Sequence, residues 1–186
     1  MSEPKYIIAV DQSTTGTKAM LIDHDGNILT KCYKKHRQIL PQLGWVEHDP
    51  MELLRNVREL IGQVLQKSKV GAKQIQCLAI TNQRETVLAW DKESGRPVYN
   101  AVVWQCNRAG SICGALREAG MEQTIREKTG LPLSEFFSGA KLRWIMDHVP
   151  EAAAAKKGGT LLCGTIDSWL VWNLSEEHRH VTDYSN

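Results

Sequence analysis

The 186-residue sequence has no apolar stretch approaching the ~20 residues that a membrane-spanning helix needs. Its N-terminus lacks the charged, apolar and small-residue regions of a signal peptide. It has no excess of one sign of charge: the net value is +2 and the basic residues are scattered, which gives no nucleic-acid footprint. Lys31, Lys34, Lys35 and Arg37 form the one basic cluster, which reads as a solvated strand end. Internal repeats and low-complexity segments are missing, so a repeat array is excluded. Cysteine is sparse. Cys32, Cys77, Cys106, Cys113 and Cys163 are odd in number and spaced like no zinc or redox motif. They read as reduced thiols in a cytoplasmic protein. What remains is the composition of a soluble, mixed α/β protein.

The informative feature that is present lies near the start. Tyr6-Ile7-Ile8-Ala9-Val10 is a short β-branched run, read as a buried strand, and Asp11-Gln12-Ser13-Thr14-Thr15-Gly16 follows it directly. The backbone N–H groups of such a turn can cradle anionic oxygens. Ser13, Thr14 and Thr15 add hydroxyl donors, and Lys18 on the next strand adds a cation for phosphate. Asp11 is a hard oxygen ligand of the kind Mg²⁺ takes. From the pattern alone, a polar hairpin without a ligand is an equal reading. Residues 17–22 and 27–33 continue as two more strands joined at Asp25-Gly26, a strong hairpin signal.

Asp49, Pro50 and Glu52 spell the start of a helix, as N-cap, first position and capping-box partner. Leu53, Leu54, Val57, Leu60, Ile61, Val64 and Leu65 give it one wide apolar face. Its end is expected at residues 69–71, with Gly71 in the left-handed conformation. Strands follow at 74–80 and 86–90, then an extended segment at 98–104. Helices are expected at 107–119 and 121–129. Another starts with Ser138 as its cap and stops at Pro150, and a further short helix lies around 152–155. A strand at 160–163 precedes a helix capped by Thr165.

Two sets of residues suggest a ligand. Arg84 and Glu85 lie just past an apolar strand, where ligands of open α/β sheets bind. Side by side, a guanidinium and a carboxylate can donate to and accept from vicinal hydroxyls, which suits a polyol. From the pair alone, an ordinary surface ion pair is the preferred reading. Trp104 can pack its indole on the carbons of a small polyol, or simply fill a core. Trp45, Trp90, Trp144, Trp169 and Trp172 read as packing residues. Asp167 falls in the first turn of a helix, where a carboxylate offsets the dipole. The histidines form no catalytic or metal set.

Taken in order, the hexapeptide, Gly44-Trp45-Val46-Glu47-His48-Asp49-Pro50, Thr81-Asn82-Gln83-Arg84-Glu85-Thr86, Asn100-Ala101-Val102-Val103-Trp104-Gln105, Phe137-Ser138-Gly139 and Gly164-Thr165-Ile166-Asp167 resemble the FGGY carbohydrate kinase family, nearest its glycerol-phosphorylating members. The resemblance runs from about Tyr6 to Asn186. It implies an actin-like, ribonuclease H-like α/β nucleotide-binding fold. In that fold a mixed sheet opens with an antiparallel three-stranded meander and is flanked by helices. It further implies ATP and Mg²⁺ as cofactors and glycerol or a similar polyol as acceptor. Asp11 would orient the metal, and Ser13, Thr14, Thr15 and Lys18 would hold phosphate. Arg84, Glu85, Trp104 and Phe136 would hold the polyol.

Two positions depart from the family pattern. Phe136 stands where these kinases commonly carry a tyrosine whose hydroxyl contacts glycerol, so strict acceptor specificity is weakened. Lys18 replaces a common arginine, and Ser13 a common glycine. The resemblance also implies that residues 1–186 are the N-terminal, polyol-binding domain of a longer chain, cut short at its C-terminal end. The catalytic base, the adenosine site and the second domain are then expected beyond Asn186, and the intact protein is open to homo-oligomer formation. Erythritol or xylulose as acceptor, a non-catalytic actin-like nucleotide-binding module and a plain hydrolase are the alternatives.

Overall fold

The first strand, β1 (Tyr6–Gln12), buries alternate residues. Ile8, Val10 and Gln12 point inward, the period-2 pattern of a pleated strand. A tight turn, closed by the Ser13 N–H on the Gly16 carbonyl at 2.9 Å, reverses the chain into β2 (Gly16–Ile22). A second turn leads to β3 (Ile28–Lys35). There Gly26 takes φ +84°, and the Asp23 carboxylate accepts the Asp25 and Asn27 N–H groups at 3.0 and 2.8 Å. The three-stranded meander expected from the sequence is therefore present. The structure is a computed structural model and describes residues 5–186.

The chain divides into two compact units, each of which is described separately. The first runs to Arg37 and resumes over Met51–Gln83. Its sheet has the order β3-β2-β1-β5, with β5 (Ile75–Asn82) parallel to β1 and the other neighbours antiparallel. A parallel neighbour needs a crossover, and α1 (Pro50–Ser68) supplies it. Leu53, Leu54, Val57, Leu60 and Val64 of that helix are buried, with Ile8, Val10, Ala19, Leu21 and Cys32 of the sheet. Each of the buried leucines, valines and Ile8 contributes about 1.5–3 kcal/mol. Where α1 ends, the expectation is corrected. Lys69 takes the left-handed conformation at φ +58°, whereas Gly71 is extended at φ −74°. The helix stops at Ser68, and the Ser68 hydroxyl donates to the Leu65 carbonyl at 3.1 Å and accepts the Val70 N–H at 3.3 Å. That local hydrogen bonding steadies the exit at a position without glycine.

The second unit comprises Gln38–Pro50 and Arg84–Asn186. Its centre is β6 (Val87–Asp91), buried on both faces. The strand pairs antiparallel with β9 (Leu161–Thr165), β8 (Ala101–Val102) and β7 (Arg96–Pro97), and β8 pairs with β4 (Glu47–His48). Only two residues of the expected 98–104 extension are strand, because just that pair finds ladder partners. The helices are α2 (Gly110–Glu118), α3 (Glu122–Thr129), α4 (Ser138–His148), α5 (Pro150–Gly158) and α6 (Ile166–Leu174). Val87 and Ala89 pack with Trp144, Ile145 and Val149, while Trp90 meets Trp169 edge-on at 5.5 Å. One expected cap turns out otherwise: Ser138 is the first helical residue, after an N-cap at Phe137. Thr165 is the N-cap of α6 as expected, although its hydroxyl accepts no helix N–H and donates to the Asp167 carboxylate.

Candidate functional site

The hexapeptide turn sits at the tip of the β1–β2 hairpin, in the first unit. Register places Asp11 opposite Lys18, with the ammonium 3.6 Å from the carboxylate. The Ser13 hydroxyl donates to Asp11 Oδ1 at 2.6 Å, so it braces the carboxylate rather than pointing away from it. Thr15 and Lys18 are exposed, and Thr14 is half-buried. Gly16 is required here by close packing: a Cβ would come within 2.5 Å of the Tyr33 phenol oxygen. Chemically the tip offers hydroxyls, an ammonium and one carboxylate, a donor set that fits a phosphate chain and its counter-ion. Among the described residues there is no group of three or more His, Cys, Asp or Glu side chains able to hold a metal by themselves.

Three residues behind the tip escaped the sequence reading. Gln12 and Gln83 are buried and hydrogen-bonded, Gln83 Nε2 donating to Gln12 Oε1 at 2.9 Å. Gln12 Nε2 in turn donates to the Ser13 carbonyl at 2.8 Å. These amides fix the start of the turn. His36 holds its other side, with Nε2 donating to the Thr14 carbonyl at 2.9 Å. Burial pushes the His36 imidazole below its ordinary pKa, against the upward pull of the Thr14 contact and Glu52. A depressed folded-state pKa gives stability that is complete above the ordinary imidazole range and is lost as pH falls through the folded value. The expected result is a melting temperature that drops from pH 7 to pH 5, with a shallower drop in His36→Gln. Parallel curves for the two proteins would remove His36 from the account.

In the second unit, Arg84, Glu85, Trp104 and Phe136 line one cavity of about 330 Å³ together with Ser185. All four residues selected from the sequence for a polyol converge there. That volume lies at the small end of ligand pockets. The Trp104 and Phe136 rings meet edge-on at 5.5 Å, and Phe137 continues the aromatic wall at 5.2 Å from Phe136. The Trp104 backbone N–H donates to the hydroxyl of buried Thr86 at 3.2 Å, which ties that backbone to the residue just before β6.

Glu85 has φ +66°, a left-handed conformation uncommon for a residue with a Cβ. Its Oε2 accepts both the backbone N–H and the hydroxyl of Ser138, at 2.8 and 2.6 Å. The N-terminus of α4 thus grips the carboxylate where its unpaired N–H groups and dipole favour negative charge. Strain held in place by such contacts is characteristic of functional sites. Arg84, by contrast, is exposed. Asp167 takes hydrogen bonds from Thr165 and, at 2.8 Å, from Thr182, a structural role at the start of α6.

Residues 6–186 match the sequence profile described as the N-terminal domain of the FGGY family of carbohydrate kinases. The glycerol kinase of Psychromonas ingrahamii is 50% identical over 187 residues, and that of Escherichia fergusonii 48% identical over 186. Each match covers 100% of this chain but only 37% of the relative, so the chain spans little more than a third of their length. A crystal structure of Plasmodium falciparum glycerol kinase with ADP superposes with a TM-score of 0.84 at 32% identity, covering 93% of this chain and 35% of that one. The meander with its parallel fourth strand is the actin-like sheet of those kinases. On its fold, its ordered motifs and these matches, the chain belongs to the FGGY family of carbohydrate kinases.

Proposed function

We propose that this chain is the acceptor-binding, N-terminal part of an ATP-dependent polyol kinase whose acceptor is glycerol. The observation that carries the reading is the single cavity shared by Arg84, Glu85, Trp104 and Phe136, residues up to 52 positions apart in sequence. The guanidinium of Arg84 donates to acceptor hydroxyls and the Glu85 carboxylate accepts from them. The Trp104 and Phe136 rings cover the carbon side and exclude water. In the other unit, the turn N–H groups, Thr14, Thr15 and Lys18 hold the phosphates, with Ser13 bracing Asp11. ATP with Mg²⁺ supplies the transferable phosphoryl group and neutralises its charge when bound, and Asp11 is the carboxylate that would orient the metal's waters. Positioning and charge stabilisation carry most of the catalysis in phosphoryl transfer. The general base, the adenosine site and a second domain are assigned to the part of the relatives that this chain does not span.

A second reading, a larger polyol such as erythritol or a ketose such as xylulose, is favoured by the apolar edge at Phe136. An apolar wall rejects poorly, whereas a hydrogen-bonding one rejects strongly. The test compares glycerol, erythritol, D-xylulose and water as phosphoryl acceptors for the intact protein with ATP and Mg²⁺. Glycerol is expected to give the highest kcat/KM. A higher kcat/KM for erythritol or D-xylulose than for glycerol would select the second reading. Hydrolysis alone, or no turnover at all, would sink both.

A further inference from the structure

Lys141 is fully buried in the second turn of α4, a charged side chain in the core of the second unit. Burying an ammonium is costly unless its hydrogens are satisfied and its charge is balanced. Lys141 Nζ donates to the Glu135 carbonyl at 3.2 Å and, closer still, to the Phe136 carbonyl. It therefore ties down the two peptide groups that present Phe136 to the cavity. The ionisable groups that act on it are the Glu85 and Glu135 carboxylates and the thiols of Cys106 and Cys113. Glu85, the nearest of these in function, is gripped by Ser138 at the start of the same helix. A cation this close to a helix N-terminus is opposed by the dipole. For packing alone a methionine would serve at less cost.

We propose that Lys141 is a positioning residue for acceptor recognition: without touching the acceptor, it locks the Glu135–Phe136 backbone so that Phe136 closes on Trp104, and its charge balances Glu85. The inference rests on the polyol-kinase reading above. It adds that specificity is set partly from behind the cavity wall, by a buried cation. Burial also pushes the Lys141 ammonium down to about 8, partly offset by Glu85 and the other acidic groups. Raising the pH through that value removes the charge and loosens the lock.

The experiment uses the intact enzyme and steady-state kinetics with glycerol and ATP. Lys141→Met is expected to raise the glycerol KM roughly tenfold, the scale of one lost charged hydrogen bond, with kcat and the ATP KM little changed. Lys141→Arg, which keeps charge and donors, is expected to restore part of the loss. In the unmodified enzyme the glycerol KM is expected to rise between pH 7 and 9.5 while the ATP KM stays flat, and in Lys141→Met the rise should vanish. The wild-type pH profile decides the matter even if both variants fail to fold. A flat wild-type glycerol KM across that range overturns the inference. So does a folded Lys141→Met with unchanged glycerol KM. If the wild-type enzyme phosphorylates no polyol at all, the functional reading itself has failed, and the inference falls with it.

Discussion

Replacing Arg108 by methionine is expected to cost the protein about 3–5 kcal/mol of stability, the range for breaking a buried ion pair from one side. Both partners are out of water: the Arg108 side chain is 0% exposed and that of Glu47 2%. Arg108 Nη2 donates to Glu47 Oε1 at 2.6 Å. The Tyr99 hydroxyl donates to the same oxygen at 2.7 Å, and Asn100 Nδ2 to Oε2 at 2.7 Å. The guanidinium is also packed against indoles, 3.9 Å from the Trp45 ring and 4.6 Å from Trp144. Arg108→Met preserves bulk and leaves Glu47 as an uncompensated charge beside β8. Adding Glu47→Gln removes that charge, so the double variant should be less unstable than the sum of the two singles. Urea unfolding followed by tryptophan fluorescence would measure this, since Trp45 and Trp144 flank the pair. A loss below about 1 kcal/mol would mean that water reaches Glu47 when its partner is gone.

That cluster was not legible in the sequence. Glu47 and Arg108 are 61 residues apart, and neither lies in a periodic pattern that would announce a partner. The segment around Trp45 and Glu47 stood out only as a motif, with no role attached. By contrast, the meander and α1 were legible because local rules decide them. A β-branched run and an Asp-Gly turn make the hairpins, and a seven-residue apolar stripe makes the helix. Where side-chain geometry decides, the local rules gave way. Lys69 rather than Gly71 turned left-handed because Ser68 steadied the exit. Ser138 left the cap because Glu85 claimed it. The four cavity residues were found through ordered motifs, but Lys141, just past one of them, was passed over. Nothing in a lysine two residues past a glycine signals that it folds back onto the carbonyls before its helix.

Substituting Glu85 by glycine is expected to separate stability from activity. At φ +66° a side-chain-bearing residue pays about 1–2 kcal/mol that glycine does not. Against this, Glu85→Gly loses the two hydrogen bonds that Oε2 takes from Ser138, and water can serve the freed N–H and hydroxyl at this half-exposed helix start. The two effects oppose each other, so the melting temperature should move little. Acceptor binding has no such compensation. Among the described residues the Glu85 carboxylate is the only acidic side chain lining the cavity, and on the proposed reading Arg84 would be left to face the polyol hydroxyls alone. Losing a charged hydrogen bond of about 2–3 kcal/mol lowers kcat/KM for glycerol roughly 30- to 150-fold. Glu85→Gln keeps the strained backbone and the side-chain length. It should lose a similar factor if charge is what the acceptor reads, and much less if shape is. Steady-state kinetics of the intact enzyme and thermal melts of all three proteins provide the comparison. A Glu85→Gly enzyme that loses stability heavily and keeps its kcat/KM would make Glu85 a structural clamp for α4. It would also move acceptor recognition elsewhere in the cavity.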